Sequence, residues 1–285
     1  MRQRPADKEV FMKLLCTDLD ETLLNSKSQV SPETKAFLDE FLAAGNRLVL
    51  CSGRPLMSIL EVKQNAGLTQ PGIFVSSSNG SRIYDCDSKR TIMKTTIPLS
   101  YVSYLQEEAQ KLDLHIQTYR ENDDDDAVIS PADDEEIRFY RRRVHLPLVV
   151  SENLCDALTE APCKMLAISL HDFDKLETFR RNIEDWAKDK IQTIYSSGCY
   201  LELFQKSAGK GSSLLYLCNY LGIPVSDSYA AGDADNDISM LEAAGCGIAM
   251  KNATDNVKAH ADVVTDLDND QNGLAEMMYK LIPLR

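Results

Sequence analysis

The run Lys13-Leu-Leu-Cys-Thr-Asp18-Leu-Asp20-Glu-Thr22-Leu-Leu24 constrains this chain more than any other stretch. Leu14 to Cys16 is apolar, and two carboxylates and a hydroxyl follow at once. A short apolar run bounded by polar residues predicts a strand buried on both faces, with Asp18 and Asp20 at its C-terminal end. In an open α/β sheet, that edge is where ligands bind. In an extended chain, residues two apart point to the same side, about 6–7 Å from each other. Such a gap holds a phosphoryl group, with one carboxylate as nucleophile and the other as acid or base. Acidic pairs at loop starts also serve as solvated turn residues or helix caps. The pair therefore gains meaning only if other polar groups reach the same edge.

They do. Ser31 is a good N-cap with Pro32 in the first turn, and the helix over Thr34 to Ala44 ends at Gly45. Arg47 to Cys51 is a second strand running into Ser52-Gly53-Arg54, and a helix from Leu56 to Ala66 follows. Ile73 to Val75 is a third strand, running into Ser76-Ser-Ser-Asn79-Gly80. This β-α-β-α-β order is the pattern of a parallel sheet wound with helices. The texture then changes. Arg82 to Ile97 reads as a hairpin, Leu99 to Leu112 as a helix and Leu114 to Tyr119 as a strand. The acidic runs 121–126 and 133–136 read as solvated loop or a polar helix start, and Arg141-Arg-Arg143 as a surface face. Lys164 to Leu170, Phe173 to Lys188, Ile191 to Ser196 and Tyr200 to Phe204 read as strand, helix and two pairing strands. The doubly wound texture returns with a helix over Lys210 to Leu221 and a strand over Ser228 to Ala231, which ends in Gly232-Asp233-Ala-Asp-Asn236-Asp237. A helix over Ile238 to Ala244 and strands over Gly247 to Met250 and Asp262 to Thr265 complete it. The expected fold is α/β: a doubly wound, Rossmann-like parallel sheet core over residues 1–95 and 196–285, with an inserted α+β domain over 96–195.

With 44 acidic against 31 basic residues the formal net charge is −13, which argues against broad binding to nucleic acid or anionic membrane. A phosphate ligand then needs a local cation, either a metal or particular Lys and Arg side chains. The eight cysteines form no Cys-x-x-Cys pair and read as reduced core residues. The first ten residues lack the apolar region of a signal peptide, and no apolar run approaches transmembrane length, so a cytoplasmic location is expected.

Four strand ends thus offer polar groups to one edge: Asp18 and Asp20, Ser52 with Gly53, Asn79 with Gly80, and Asp233 with Asn236 and Asp237. Ser52 and the amides of Gly53 and Arg54 precede a helix, where backbone N–H groups suit phosphate, although a plain N-cap gives the same pattern. Lys210 begins a helix, where a cation is electrostatically disfavoured. A surface lysine tolerates that cost, and a lysine neutralising a phosphate oxygen explains it. Four clustered carboxylates repel one another unless a hard cation such as Mg²⁺ fills the site.

In these motifs the chain resembles haloacid dehalogenase superfamily phosphatases of the Cof-like group. The resemblance rests on Asp18-Leu-Asp20-Glu-Thr22, Ser52-Gly53-Arg54, Lys210-Gly211 and Gly232-Asp233-Ala-Asp-Asn236-Asp237, in that order. Ile248-Ala-Met250-Lys-Asn252-Ala, Ala261-Asp262-Val-Val-Thr265 and Asn272-Gly273 also follow the pattern. The resemblance implies that Asp18 is the nucleophile, forming an aspartyl-phosphate, and that Asp20 is the general acid and then the base. It implies phosphate binding by Leu19, Ser52, Gly53, Lys210 and Asn236. Mg²⁺ would be held by Asp18, the carbonyl of Asp20 and Asp233, with Asp237 orienting the site from behind. The second aspartate resembles the phosphoryl-transfer members rather than the dehalogenases. The long block between Ser52 and Lys210 resembles the type II cap that closes over the leaving group. Two positions depart from the pattern: Glu21 replaces the usual glycine, and Lys251 replaces a small residue.

The expected function is a Mg²⁺-dependent phosphatase acting on a small phosphate ester, sugar phosphate-like. A phosphomutase or phosphotransferase of the same chemistry is the alternative, as is a non-catalytic phosphate-ligand sensor. The presence of Asp18, Asp20, Lys210 and Asp233 together counts against the sensor. Substrate identity and oligomeric state are not legible.

Overall fold

The computed structural model describes residues 12–123 and 126–282. The N-terminal stretch read for a signal sequence lies outside these, as do Asp124 and Asp125 of the acidic run. The first half begins with strand β1 (Leu14–Asp18), helix α1 (Pro32–Ala43), β2 (Arg47–Cys51), α2 (Leu56–Asn65) and β3 (Ile73–Ser77). The hairpin β4 (Arg82–Asp85) and β5 (Arg90–Lys94) follows. Next come α3 (Leu99–Gln110), β6 (His115–Arg120), β7 (Ala127–Ser130), α4 (Glu135–Tyr140) and β8 (Leu148–Val150). Then come β9 (Lys164–Ile168), α5 (Phe173–Ala187), β10 (Ile191–Ser197) and β11 (Tyr200–Gln205). The chain ends with α6 (Lys210–Leu221), β12 (Ser228–Gly232), α7 (Ile238–Ala243), β13 (Cys246–Ala249), α8 (Asp255–Ala259), β14 (Val263–Val264) and α9 (Gly273–Leu281).

An eight-stranded sheet runs β14-β13-β12-β1-β2-β3-β4-β5. It is parallel from β14 to β3, and the hairpin β4–β5 adds two antiparallel strands at one edge. The chain lays β1, β2 and β3 outward in one direction, then returns to place β12, β13 and β14 in the other. The switch point lies between β1 and β12, the crevice where open α/β sheets bind ligands. Side chains alternate between two cores. Leu15, Leu48 and Leu50 pack on the face covered by α1, α2 and α9, while Leu14, Cys16, Val49 and Cys51 pack on the face covered by α6 and α7. Burial on both faces explains why these strands read as unbroken apolar runs. Each fully buried Leu or Phe contributes about 1.5–3 kcal/mol. Local chemistry sets the first helix: Ser31 accepts the Thr34 amide at 3.1 Å, and Pro32 occupies its first turn.

A second, six-stranded sheet runs β10-β11-β9-β6-β7-β8 and is antiparallel except between β7 and β8. Helices α3 and α5 cover one face, with Val102, Leu105, Phe179 and Ile183 in the core. The expected boundary at 195/196 falls inside β10, which pairs with β11 from Ile191↔Gln205 to Ser197↔Tyr200. The six-stranded sheet therefore continues through Gln205, because an antiparallel hairpin closes its ladder only with both strands present. Strands β7 and β8 and helix α9 are additions to the sequence-based reading. The first two are four and three residues long, too short for a clear period.

Candidate active site

Asp18 is the last residue of β1, and Asp233 follows the last residue of β12, so the switch point brings them together. Lys210, the first residue of α6, lies between Asp18 and Asp237. Its Nζ is 2.5 Å from Asp18 Oδ1 and 2.5 Å from Asp237 Oδ1. Its side chain is fully buried, which excludes the surface-lysine reading. Burial works against its charge, but the two aspartates outweigh that and hold its pKa above the ordinary lysine range.

Burial pushes the Asp18 carboxyl well up; Lys210 pulls it down, and Asp237 and Asp233 push it further up. Asp233 is pushed up to about 7, by burial first and by Asp237, although the Thr22 hydroxyl donates to its Oδ1 at 2.7 Å. Asp237 is committed elsewhere as well: its Oδ2 accepts the amides of Asp233 and Ala234 at 3.1 and 3.0 Å. It thus fixes the loop that carries Asp233. A Cβ on Gly232 would collide with the Asp237 side chain, so only glycine permits this approach. Asp18, Asp233 and Asp237 each offer a carboxylate oxygen, all within 4.8 Å of one another. Hard carboxylate donors held this close against repulsion and burial fit a divalent cation. Asp18 and Asp233 are the better-placed ligands, since Asp237 already holds Lys210 and two amides.

Asp20 stands apart. The chain leaves the extended path after Asp18 and turns through Leu19–Leu23, so the spacing of a continuing strand does not apply to Asp18 and Asp20. The Asp20 carboxylate accepts two bonds from Arg54, at 2.9 and 2.5 Å, and its side chain is 54% exposed. Glu21 takes φ 59°, a left-handed conformation that glycine adopts without penalty, which gives a physical reason for the glycine expected there. The Leu19 side chain belongs to the core, leaving only its backbone for a ligand. Ser52 is buried and its Oγ accepts the Arg54 amide at 3.1 Å, but it is not the cap of α2, whose N-cap position is held by Pro55. The Gly53 carbonyl accepts Lys164 Nζ at 2.6 Å, and Asn236 Nδ2 donates to Asn79 Oδ1 at 3.3 Å.

Some polar groups at this edge are absent from the sequence-based set. Lys164 and Glu202 come from the six-stranded sheet, pair at 2.9 Å and are buried. Their signal was a charge inside an otherwise apolar strand, Lys164-Met-Leu-Ala-Ile and Leu201-Glu-Leu-Phe204, where charges are rarely buried unless paired. The acidic run also differs from a solvated loop. Asp126 is buried, and both it and Asp123 bond the fully buried Arg82 guanidinium. Burial pushes Asp126 up to about 6, against the pull of Arg82.

The sequence profile of the haloacid dehalogenase-like hydrolases matches residues 15–278. The chain is 32% identical over 300 residues to phosphatase YwpJ of Bacillus subtilis, covering 95% of this chain and 100% of that protein. It is 30% identical over 302 residues to the 5-amino-6-(5-phospho-D-ribitylamino)uracil phosphatase YwtE of the same organism, covering 95% of this chain and 98% of that one. Among solved structures, a haloacid dehalogenase-like hydrolase from Bacteroides thetaiotaomicron superimposes with a TM-score of 0.85 at 30% identity, covering 95% of this chain and 100% of that chain.

Proposed function

Because the chain belongs to the haloacid dehalogenase-like hydrolases and is a phosphatase of their Cof-like group, we propose that it hydrolyses small phosphate esters through an aspartyl-phosphate on Asp18. The observation that carries this reading is the buried Lys210 between Asp18 and Asp237 at the switch point, with Asp233 in reach of the same cation. An Asp18 oxygen attacks phosphorus while the ester P–O bond breaks, and the leaving oxygen takes a proton from Asp20. A water then attacks the acyl phosphate, Asp20 accepts its proton, and the bond to Asp18 breaks to release orthophosphate. Lys210, Ser52, the Gly53 and Leu19 amides and Asn236 hold the phosphoryl oxygens as charge develops. Arg54 keeps the Asp20 carboxylate at the mouth of the site. Asp18, Asp233 and the Asp20 carbonyl would hold Mg²⁺, which would supply charge neutralisation for the phosphoryl group. Asp237 fixes Lys210 and the Asp233 loop from behind.

The six-stranded unit acts as a cap that closes over the leaving group and excludes water. The leaving group is a small polar metabolite, sugar phosphate-like, in keeping with the phosphoribityl compound in the name of one relative. The net charge of −13 argues for such an ester rather than a nucleic acid. Among the described residues no helix is long and apolar enough to cross a membrane, and we assign the protein to the cytoplasm.

The test is phosphate release from sugar phosphates, pyridoxal phosphate, flavin mononucleotide and an aryl phosphate, with and without Mg²⁺, beside Asp18→Asn. Mg²⁺-dependent release that the variant abolishes is the expected result. Turnover retained by Asp18→Asn, or equal activity in excess chelator, would refute the scheme.

A further inference from the structure

The loop after β3 is unusual in its backbone. Ser78, Asn79 and Gly80 have φ of 52°, 55° and 86°, three left-handed residues in succession. Gly80 is explained by space, because a Cβ there would collide with the main chain of Gly209, just before Lys210. Ser78 and Asn79 carry side chains in a region disfavoured for both, more so for serine. Each is held by a glutamate of the other unit: Glu202 on β11, and Glu121 just past the end of β6. Ser78 Oγ donates to Glu121 Oε1 at 2.6 Å, and Asn79 Nδ2 donates to Glu202 Oε2 at 2.9 Å. Both glutamates are buried, 2% and 6% exposed. Glu121 also accepts the Cys163 amide at 3.2 Å, and Glu202 also accepts Lys164 Nζ at 2.9 Å.

Asn79 in turn touches the phosphate-side groups. Its amide donates to the Ser52 carbonyl at 3.1 Å, and its Oδ1 accepts Asn236 Nδ2 at 3.3 Å. An asparagine amide has a donor end and an acceptor end, whereas an ionised carboxylate only accepts. With Glu202 on one side, the amide must present its NH₂ to Glu202 and its oxygen to Asn236. The orientation of Asn236 is therefore dictated from the six-stranded sheet, two hydrogen bonds away.

We propose that Glu202 is a positioning residue for the phosphate pocket, acting through Asn79 on Asn236, with Lys164 steadying the Gly53 carbonyl and Glu121 steadying Ser78. Seating of the six-stranded unit thereby completes the pocket rather than merely covering it. This rests on the reading of Ser52, Gly53 and Asn236 as phosphate ligands. Glu202→Gln is the sharp variant, because it keeps the shape but accepts or donates, and so releases the amide to flip.

The measurement is Mg²⁺-dependent hydrolysis of an aryl phosphate by the full chain, with orthophosphate as competitive inhibitor. The variants are Glu202→Gln, Asn79→Gly (which tolerates the left-handed backbone) and the pair. Glu202→Gln should raise KM and the orthophosphate Ki by about tenfold, the scale of one hydrogen bond to a charged group, with a smaller change in kcat. Asn79→Gly should do the same, and the double variant should be no worse than Asn79→Gly alone. If Glu202→Gln does not fold, Lys164→Met with Glu202→Gln removes both charges and should show the same rise in Ki. An orthophosphate Ki within twofold of wild type, or losses that multiply in the double variant, would overturn the proposal. An inactive Asp18→Asn beside an unchanged Ki in Glu202→Gln defeats this inference and leaves the phosphatase reading standing. Turnover by Asp18→Asn defeats the nucleophile assignment, while the Ki shift still decides the role of Glu202.

Discussion

Two buried clusters of charge adjoin the same sheet edge, and they differ in how their charges are partnered. At the switch point one ammonium, Lys210, faces Asp18 and Asp237, with Asp233 close by. Along the seam between the sheets, Lys164 is matched by Glu202, and Arg82 by Asp126 with the partly exposed Asp123. The first cluster carries surplus negative charge, and it contains Asp18, well above its ordinary range, and Asp233, at about 7. Carboxylates crowded in this way fit a divalent cation. In the second each buried cation has a carboxylate partner of its own, the neighbouring Glu121 is taken up by Ser78 and the Cys163 amide, and its hydrogen bonds are spent on the fold. The way buried charge is partnered thus separates the two: three carboxylates crowd one ammonium at the switch point, while along the seam each cation has its own partner.

The comparison breaks most visibly at Asp18. Asp18→Asn should lower kcat by at least about 10⁴-fold, the scale of losing a nucleophile, while thermal unfolding shows stability retained, since one repelling carboxylate is gone. A large loss of stability would place Asp18 with the structural set instead. Arg82→Met should do the opposite. It leaves Asp126 buried without its partner and should cost about 3–5 kcal/mol in urea unfolding. The double variant Arg82→Met with Asp126→Asn should recover part of that.

Addition of Mg²⁺ sharpens the contrast at smaller scale. At a hundredfold excess over Kd it should stabilise the wild type by about 2.7 kcal/mol, and Asp233→Asn should lose most of this. Variants at Arg82 should keep the increment even though their baseline falls. The smallest effect concerns pH. Asp126 is pushed up to about 6 in the folded chain, above its unfolded value, so the native state binds the extra proton between about pH 4 and 6. Stability from this group is then greatest below pH 4 and falls as pH rises through 6. The difference in unfolding free energy between wild type and Asp126→Asn should shift by about 2 kcal/mol across that window, favouring wild type at the acid end. A flat difference would mean that Arg82 keeps Asp126 ionised throughout.

Much of the first cluster is legible in the sequence. Strand ends in a doubly wound sheet share an edge, so Asp18, Ser52, Asn79 and Asp233 converge by topology alone. The pairing of Asp20 with Arg54 is not legible, because the turn at Leu19–Leu23 abandons the extended spacing on which the expectation rests. The acidic run misleads for a related reason. Charge in sequence reads as solvent exposure, and only the position of Arg82 on β4 reveals that Asp123 and Asp126 have a buried partner. The boundary at 195/196 is misplaced because β10 and β11 each read as strands, while the sheet they join is set by pairing with β9.

The sequence by itself determined the alternation of strands and helices, the two-sided burial of the parallel strands and the residues delivered to their C-terminal edge, since periodicity and local chemistry act within a few residues. Tertiary structure alone decided which carboxylates are partnered and which carry surplus charge. It also decided that Glu202 on β11 and Glu121 just after β6 grip a left-handed loop of the other unit. These contacts join residues up to 123 positions apart, and no local propensity encodes what a long-range fold brings within 3 Å.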